Sequence, residues 1–130
     1  MMIANGIVYG ATVSVAYPDD FIRTIRKAKD IKGPKFIHAY SPCPSGWRMD
    51  PRKSIEVARL AVRTGAFPLY EYYDGKFSFT KEIKKRKPVE DYLRLQGRFR
   101  HLTPAQVAEV QALVDREYEA LVAKVGASGR

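Results

Sequence analysis

A chain of 130 residues with 45% hydrophobic and 12% aromatic content can bury one modest core, and its 8 Tyr and 6 Phe exclude a disordered polymer, because such side chains supply the burial that offsets ordering entropy. Its 23 Lys and Arg against 14 Asp and Glu leave +9 at pH 7, which attracts polyanions, acidic protein partners or anionic lipid without choosing among them. One cysteine excludes an internal disulfide framework, and with no apolar run near the roughly 18 to 20 residues that cross a bilayer and no signal-like N-terminus, the chain reads as cytoplasmic with no membrane partner.

Gly6 to Ala16 (GIVYGATVSVA) is dense in β-branched and small residues and predicts a buried strand over Tyr9 to Val15. Pro18, Asp19 and Asp20 then supply a turn and acidic first-turn groups, and Phe21, Ile22, Ile25, Ala28 and Ile31 recur at helical spacing up to the Gly33-Pro34 breaker. Lys35 to Tyr40 (KFIHAY) is a second short strand, so strand, helix and strand form a βαβ unit that implies a parallel sheet. In Ser41 to Trp47 (SPCPSGW) two prolines and a glycine exclude regular structure, just beyond the carboxyl end of a strand, where open parallel sheets bind ligands.

Asp50-Pro51 suits an N-cap and first helical position for a helix through Ile55, Ala58, Leu60, Ala61 and Val62 that stops at Gly65. Pro68 to Tyr73, the Asp74-Gly75 turn and Lys76 to Thr80 alternate like the arms of a hairpin, expected on the sheet edge. Lys81 to Lys87 is a basic run ahead of Pro88, and Val89 to Leu95 suits a short helix in an otherwise extended segment. Thr103-Pro104-Ala105-Gln106 has the form of a capping box opening a helix through Val107, Val110, Val114, Tyr118, Leu121 and Val125, with Gly126 to Arg130 as a frayed tail.

Among residues able to carry chemistry, Cys43 stands between two prolines, which fix φ and remove backbone donors, so its sulfur sits on a stiff loop suited to a metal thiolate. By composition alone a lone cysteine is more often a buried, inert hydrophobe. His38 and His101 lack a second ligand at metal-binding spacing, so structural roles are expected for both. No hydrolase elbow, phosphate-cradling loop, dinucleotide fingerprint or zinc-protease motif is present. Arg23, Arg26, Lys27 and Lys29 with Lys81 to Lys87 read as a solvated basic face before a docking surface, and Tyr70, Tyr72, Tyr73, Phe77 and Phe79 as hairpin packing before a nucleic-acid stacking platform.

Three stretches taken together, Ala11 to Phe21 (ATVSVAYPDDF), Ile37 to Trp47 (IHAYSPCPSGW) and Leu60 to Phe77 (LAVRTGAFPLYEYYDGKF), resemble consecutive pieces of the β subunit of pyruvate-type 2-oxoacid:ferredoxin oxidoreductases (pyruvate synthases). Lys85 to Leu102 (KRKPVEDYLRLQGRFRHL) is similar to that family's C-terminal segment. The resemblance implies the C-terminal part of an α/β thiamine-diphosphate-binding fold: a mainly parallel sheet with flanking helices, an edge hairpin and a long C-terminal helix. Residues 1–80 would form the C-terminal half of that domain and 81–130 an extension carrying the terminal helix.

The same resemblance implies oxidative decarboxylation of pyruvate to acetyl-CoA and carbon dioxide, with electrons passing through a 4Fe-4S cluster to ferredoxin. Cys43 matches the last of the four cluster ligands, and its Pro-Cys-Pro and Gly-Trp surroundings favour pyruvate or a branched-chain oxoacid over 2-oxoglutarate. The family's earlier cysteines, its Gly-Asp-Gly segment with a later Asn, and the N-terminal half of its sheet are absent from this sequence. Thiamine diphosphate and magnesium therefore belong to the assembled enzyme, no cofactor is expected on the chain alone, and the chain is expected to be inactive by itself. Expected partners are other subunits or the missing N-terminal half, and ferredoxin; nucleic acid is not among them, and a homodimer is one way to cover a half-built sheet. The alternatives are a non-catalytic basic module or remnant domain docking an acidic partner, and a truncated product that exposes apolar surface.

Overall fold

Strand and helix boundaries follow the local signals closely in the computed structural model, which describes residues 3–129. Strand β1 (Tyr9–Ser14) leads through α1 (Pro18–Asp30) into β2 (Lys35–Tyr40); α2 (Pro44–Trp47) and α3 (Ser54–Arg63) follow, then the hairpin β3 (Leu69–Tyr73) and β4 (Lys76–Lys81), α4 (Val89–Leu93) and α5 (Pro104–Ser128). Short 3-10 turns lie at Ile3–Asn5, Pro51–Lys53 and Gly97–Phe99. Proline at the start of α1 and acidic Asp19 and Asp20 in its first turn suit the positive end of the helix, and Lys27 and Lys29 suit the other.

The four strands form one sheet in the order β2-β1-β3-β4. β1 and β2 pair in parallel from Tyr9 opposite Lys35 to Ser14 opposite Tyr40, as the βαβ unit requires. The α/β class, the hairpin and the long terminal helix are all present, but the sheet is not mainly parallel. The hairpin is half of it: β3 pairs antiparallel with β1 through Tyr9–Tyr73, Gly10–Tyr72 and Ala11–Glu71, and again with β4. Beyond that short ladder the Thr12 hydroxyl takes over, donating to the Pro68 carbonyl at 2.6 Å and accepting from the Tyr70 N–H at 3.0 Å. Asp74 and Gly75 both have positive φ, 52° and 77°, the tight turn whose twist matches an antiparallel pair.

Alternation along β1 splits the burial. Tyr9 and Ala11 meet Ala28 of α1 on one face, with Val8, Ile31 and Ile37 around them. A second core gathers Met49, Val57, Leu60, Ala61, Val89, Tyr92 and Leu93 from α3, α4 and the segments between, roofed by Val107, Val110 and Val114 of α5. The Tyr9 hydroxyl donates to Glu71 Oε2 at 2.7 Å, and the other carboxylate oxygen is paired with Lys27. β2 is the edge strand; nothing pairs with its outer side among the described residues, and Phe36 on it is 39% exposed.

α5 opens on the expected capping box. The Gln106 N–H donates to the Thr103 hydroxyl at 3.3 Å, and the Thr103 N–H to Gln106 Oε1 at 2.9 Å. Thr103→Ala removes one half of that exchange and is expected to cost about 1 kcal/mol, read as a lowered urea midpoint with unchanged slope. Most of the hairpin aromatics pack, Phe79 stacking on Tyr118 of α5 at 5.7 Å and Phe77 meeting Tyr72 at 5.2 Å, while Tyr73 is exposed. The expected frayed tail is instead helical from Gly126 to Ser128, because the Ser128 hydroxyl accepts from the Phe77 N–H at 2.9 Å and donates to the Lys124 carbonyl at 2.8 Å. Arg130, the last residue of that expectation, lies outside the described residues.

Candidate functional site

Cys43 follows the carboxyl end of β2 and is exposed. The segment around it is not irregular, as the two prolines suggested; Pro44 to Trp47 form a single helical turn, α2. Proline at the first helical position explains the difference, since its fixed φ suits that site and its missing N–H would have had no partner there. The Trp47 N–H donates to the Cys43 carbonyl at 2.9 Å and the Met49 N–H to the Pro44 carbonyl at 3.1 Å. Arg48 closes the turn in the left-handed region at φ 52°, a conformation that costs a non-glycine residue roughly 1 kcal/mol. A side chain at position 46 would begin only 3.3 Å from Cys43 Sγ, so Gly46 leaves the sulfur uncrowded.

The turn is fixed from below. Met49 is buried in the second core, and Trp47 lies 5.7 Å from the ring of Tyr40, which in turn meets Phe67 at 4.9 Å. The Tyr40 and Tyr92 hydroxyls share a hydrogen bond of 2.7 Å. From the far end of the chain, the Gly97 N–H donates to the Arg48 carbonyl at 2.9 Å, and Gly97 packs so closely that a Cβ there would sit 2.7 Å from that oxygen. The Arg98 guanidinium then lies 4.0 Å over the Trp47 ring and 4.5 Å over Phe99, with Nε donating to Gln96 Oε1 at 2.8 Å.

Burial pushes the Tyr40 hydroxyl well above the ordinary phenol range, helped by its bond to Tyr92 and opposed by Arg98. Burial, and then the bond to the Glu71 carboxylate, do the same to Tyr9. Because both phenols hold their protons more tightly folded than unfolded, their stabilisation is complete below about pH 10 and is lost as pH rises beyond it. Stability is therefore expected to fall progressively as pH is raised above about 10. Tyr9→Phe should flatten that slope in a urea-midpoint series.

His38 is exposed on the sheet face turned away from α1, edge-on to Phe67 at 5.1 Å, beside a groove of about 430 Å³ that runs between that face and α5. The basic residues that the sequence singles out are partly neutralised: Arg23 pairs with Asp20, Lys27 with Glu71, and Arg86 with Asp115. A different cationic group comes together instead. Arg48, Arg98, Arg100 and His101 line an open basin of about 400 Å³ beside the α2 turn. The signal for it was the Arg98-Phe99-Arg100-His101 run; what sequence could not supply is Arg48, joined to it through Gly97 and through Trp47 beneath Arg98. Among the described residues no group of three or more His, Cys, Asp or Glu gathers to hold a metal ion, so Cys43 belongs to no such group there. No helix among them is long and apolar enough to cross a membrane.

No family model matches the chain. Curated relatives do. Over 115 residues, 88% of the chain, it is 52% identical to "Pyruvate synthase subunit PorB" of Methanothermobacter marburgensis. Over 123 residues, 93% of the chain, it is 50% identical to "Ketoisovalerate oxidoreductase subunit VorB" of Pyrococcus horikoshii. Over 127 residues, 94% of the chain, it is 39% identical to the PorB subunit of Thermotoga maritima. In each case the chain spans only about 40% of the relative's length.

Proposed function

The chain is a relative of the PorB and VorB subunits over about two-fifths of their length, and from that premise we propose that it forms the C-terminal part of a 2-oxoacid:ferredoxin oxidoreductase β subunit. The observation that carries this reading is identity near 50% across roughly nine-tenths of the chain. The reaction proposed for the assembled enzyme is oxidative decarboxylation of pyruvate to acetyl-CoA and carbon dioxide, with electrons leaving to ferredoxin in the cytoplasm. Relatives at similar identity carry the ketoisovalerate name as well as the pyruvate one, so a branched-chain oxoacid is the alternative substrate. In this reading residues 1–80 complete a thiamine-diphosphate-type domain begun on another segment, and residues 81–130 form its terminal extension.

Cys43 is the residue proposed to touch a cofactor. Its sulfur is exposed, uncrowded and carried on a turn whose backbone is fixed at both ends, the properties a thiolate needs when it must meet a cluster held mainly by others. A four-cysteine cluster does not fit this chain by itself, since Cys43 is its single cysteine. The other three ligands, and the groups that hold diphosphate and magnesium, are assigned to the part of the relatives that the chain does not span.

Reconstitution tests the reading directly. The chain is combined with the complementary segment of a PorB-type subunit, its partner subunits, iron, sulfide, thiamine diphosphate and magnesium. Cluster absorbance and pyruvate-dependent dye reduction that require this chain are the expected result. Their absence from a folded, associated assembly would sink the proposal.

A further inference from the structure

We propose that the basin formed by Arg48, Arg98, Arg100 and His101 is a binding site for a small polyphosphate anion. Three arginines line one concavity, and no Asp or Glu does. Among the described residues none of the three takes part in an ion pair, unlike Arg23, Arg86 and Lys27 elsewhere on the surface. Like charges held together without a counter-charge repel one another, and a multivalent anion removes that cost while gaining charge-assisted hydrogen bonds.

The arrangement is built rather than incidental. Arg98 is half-buried, held over Trp47 and Phe99, and anchored through Nε to Gln96, which is itself almost wholly buried. Anchoring by Nε leaves both terminal amino groups without a protein acceptor, so the two-pronged edge that matches a phosphate is open. Arg48 is brought to the same place by its left-handed backbone and the 2.9 Å bond from Gly97. At Arg98, therefore, less rotamer freedom is lost on binding than for a surface lysine.

Shape and charge select the ligand class. A basin of about 400 Å³ admits a diphosphate and its first substituent, whereas a protein partner needs roughly 800 Å² of surface on each side. Three clustered positive groups, one of them held in place at Arg98, match a diphosphate better than a single carboxylate. The inference rests on the arginines and not on the role of Cys43, so it stands or falls without a cluster.

Trp47 is the chain's one tryptophan and lies directly under Arg98, which makes its fluorescence the reporter. The 130-residue chain is titrated with pyrophosphate at low salt, with ADP and citrate as parallel arms. Saturable binding is expected, weakened roughly tenfold or more by each of Arg48→Ala, Arg98→Ala and Arg100→Ala, because each removes a hydrogen bond to a charged group. Arg98→Lys keeps the charge and should still weaken binding severalfold by losing the planar fork; isothermal calorimetry reads the same affinities without relying on Trp47. Arg116→Ala, on exposed α5, should change nothing. Tighter binding of ADP than of pyrophosphate places the diphosphate on a nucleotide-like carrier. Equal loss in Arg116→Ala, no binding at all, or citrate binding more tightly than either phosphate would overturn the assignment.

Discussion

Cys43→Ser is expected to leave the chain folded and to abolish 2-oxoacid-dependent electron flow in the reconstituted oxidoreductase, by more than about a hundredfold, since loss of a ligand exceeds the 10- to 100-fold cost of losing a ligand's outer partner. The two halves of that expectation have separate causes. Cys43 is exposed, and the turn that carries it is held by the Trp47 and Met49 backbone bonds, the Trp47–Tyr40 contact and Gly97, none of which uses the sulfur. Stability should therefore move by no more than about 0.5 kcal/mol, as for other surface changes. Serine is a poor substitute for a thiolate at iron, so cluster content, read by absorbance and by the spin signal of the reduced cluster, should fall with activity. Ser45→Ala, two residues on and exposed, is the matched control and should keep both. A Cys43→Ser assembly with full cluster content and normal turnover would remove the residue from the site.

The largest structural effect is expected at Tyr9. Its side chain is fully buried between the sheet and α1, and its ring meets Ala28. Truncation to alanine should cost about 3–5 kcal/mol in thermal or urea unfolding, as for other large buried rings. Set against a typical total of roughly 5–15 kcal/mol, that removes much of the fold's margin. Tyr9→Phe should cost only about 1 kcal/mol, since Glu71 keeps its partner Lys27 when the phenol is lost. Similar losses in the two variants would mean that the hydroxyl, not the ring, holds α1 to the sheet.

How much of this was legible beforehand depended on how local each signal is. Strands β1 and β2, the Asp74-Gly75 turn and the Thr103 capping box are written in neighbouring residues, and all form where those residues direct. The sheet's sense was not readable, because the pairing of Tyr9 with Tyr73 joins residues far apart with no local mark on either. At Pro44 the same residue type can end regular structure or begin a helix, and the outcome turned on the Trp47 and Met49 N–H groups finding acceptors. The tail was misjudged for a similar reason, since only the fold places Ser128 beside Phe77. Cys43 was singled out by resemblance, and its exposed, uncrowded place on a fixed turn gives the reason a thiolate there would be well presented. The arginine basin required Gly97 to be seen against Arg48.

The outer edge of β2 makes the stability of this chain a linked quantity. The N–H and C=O groups on the side away from β1 have no strand beside them among the described residues, so any segment that pairs there binds the folded state and not the unfolded one. Mass action then adds that binding free energy to folding, about 2.7 kcal/mol when the pairing segment is present at a hundred times its dissociation constant. A melting temperature measured on the chain alone is the floor of a range, and occupancy of that edge sets where in the range the protein sits.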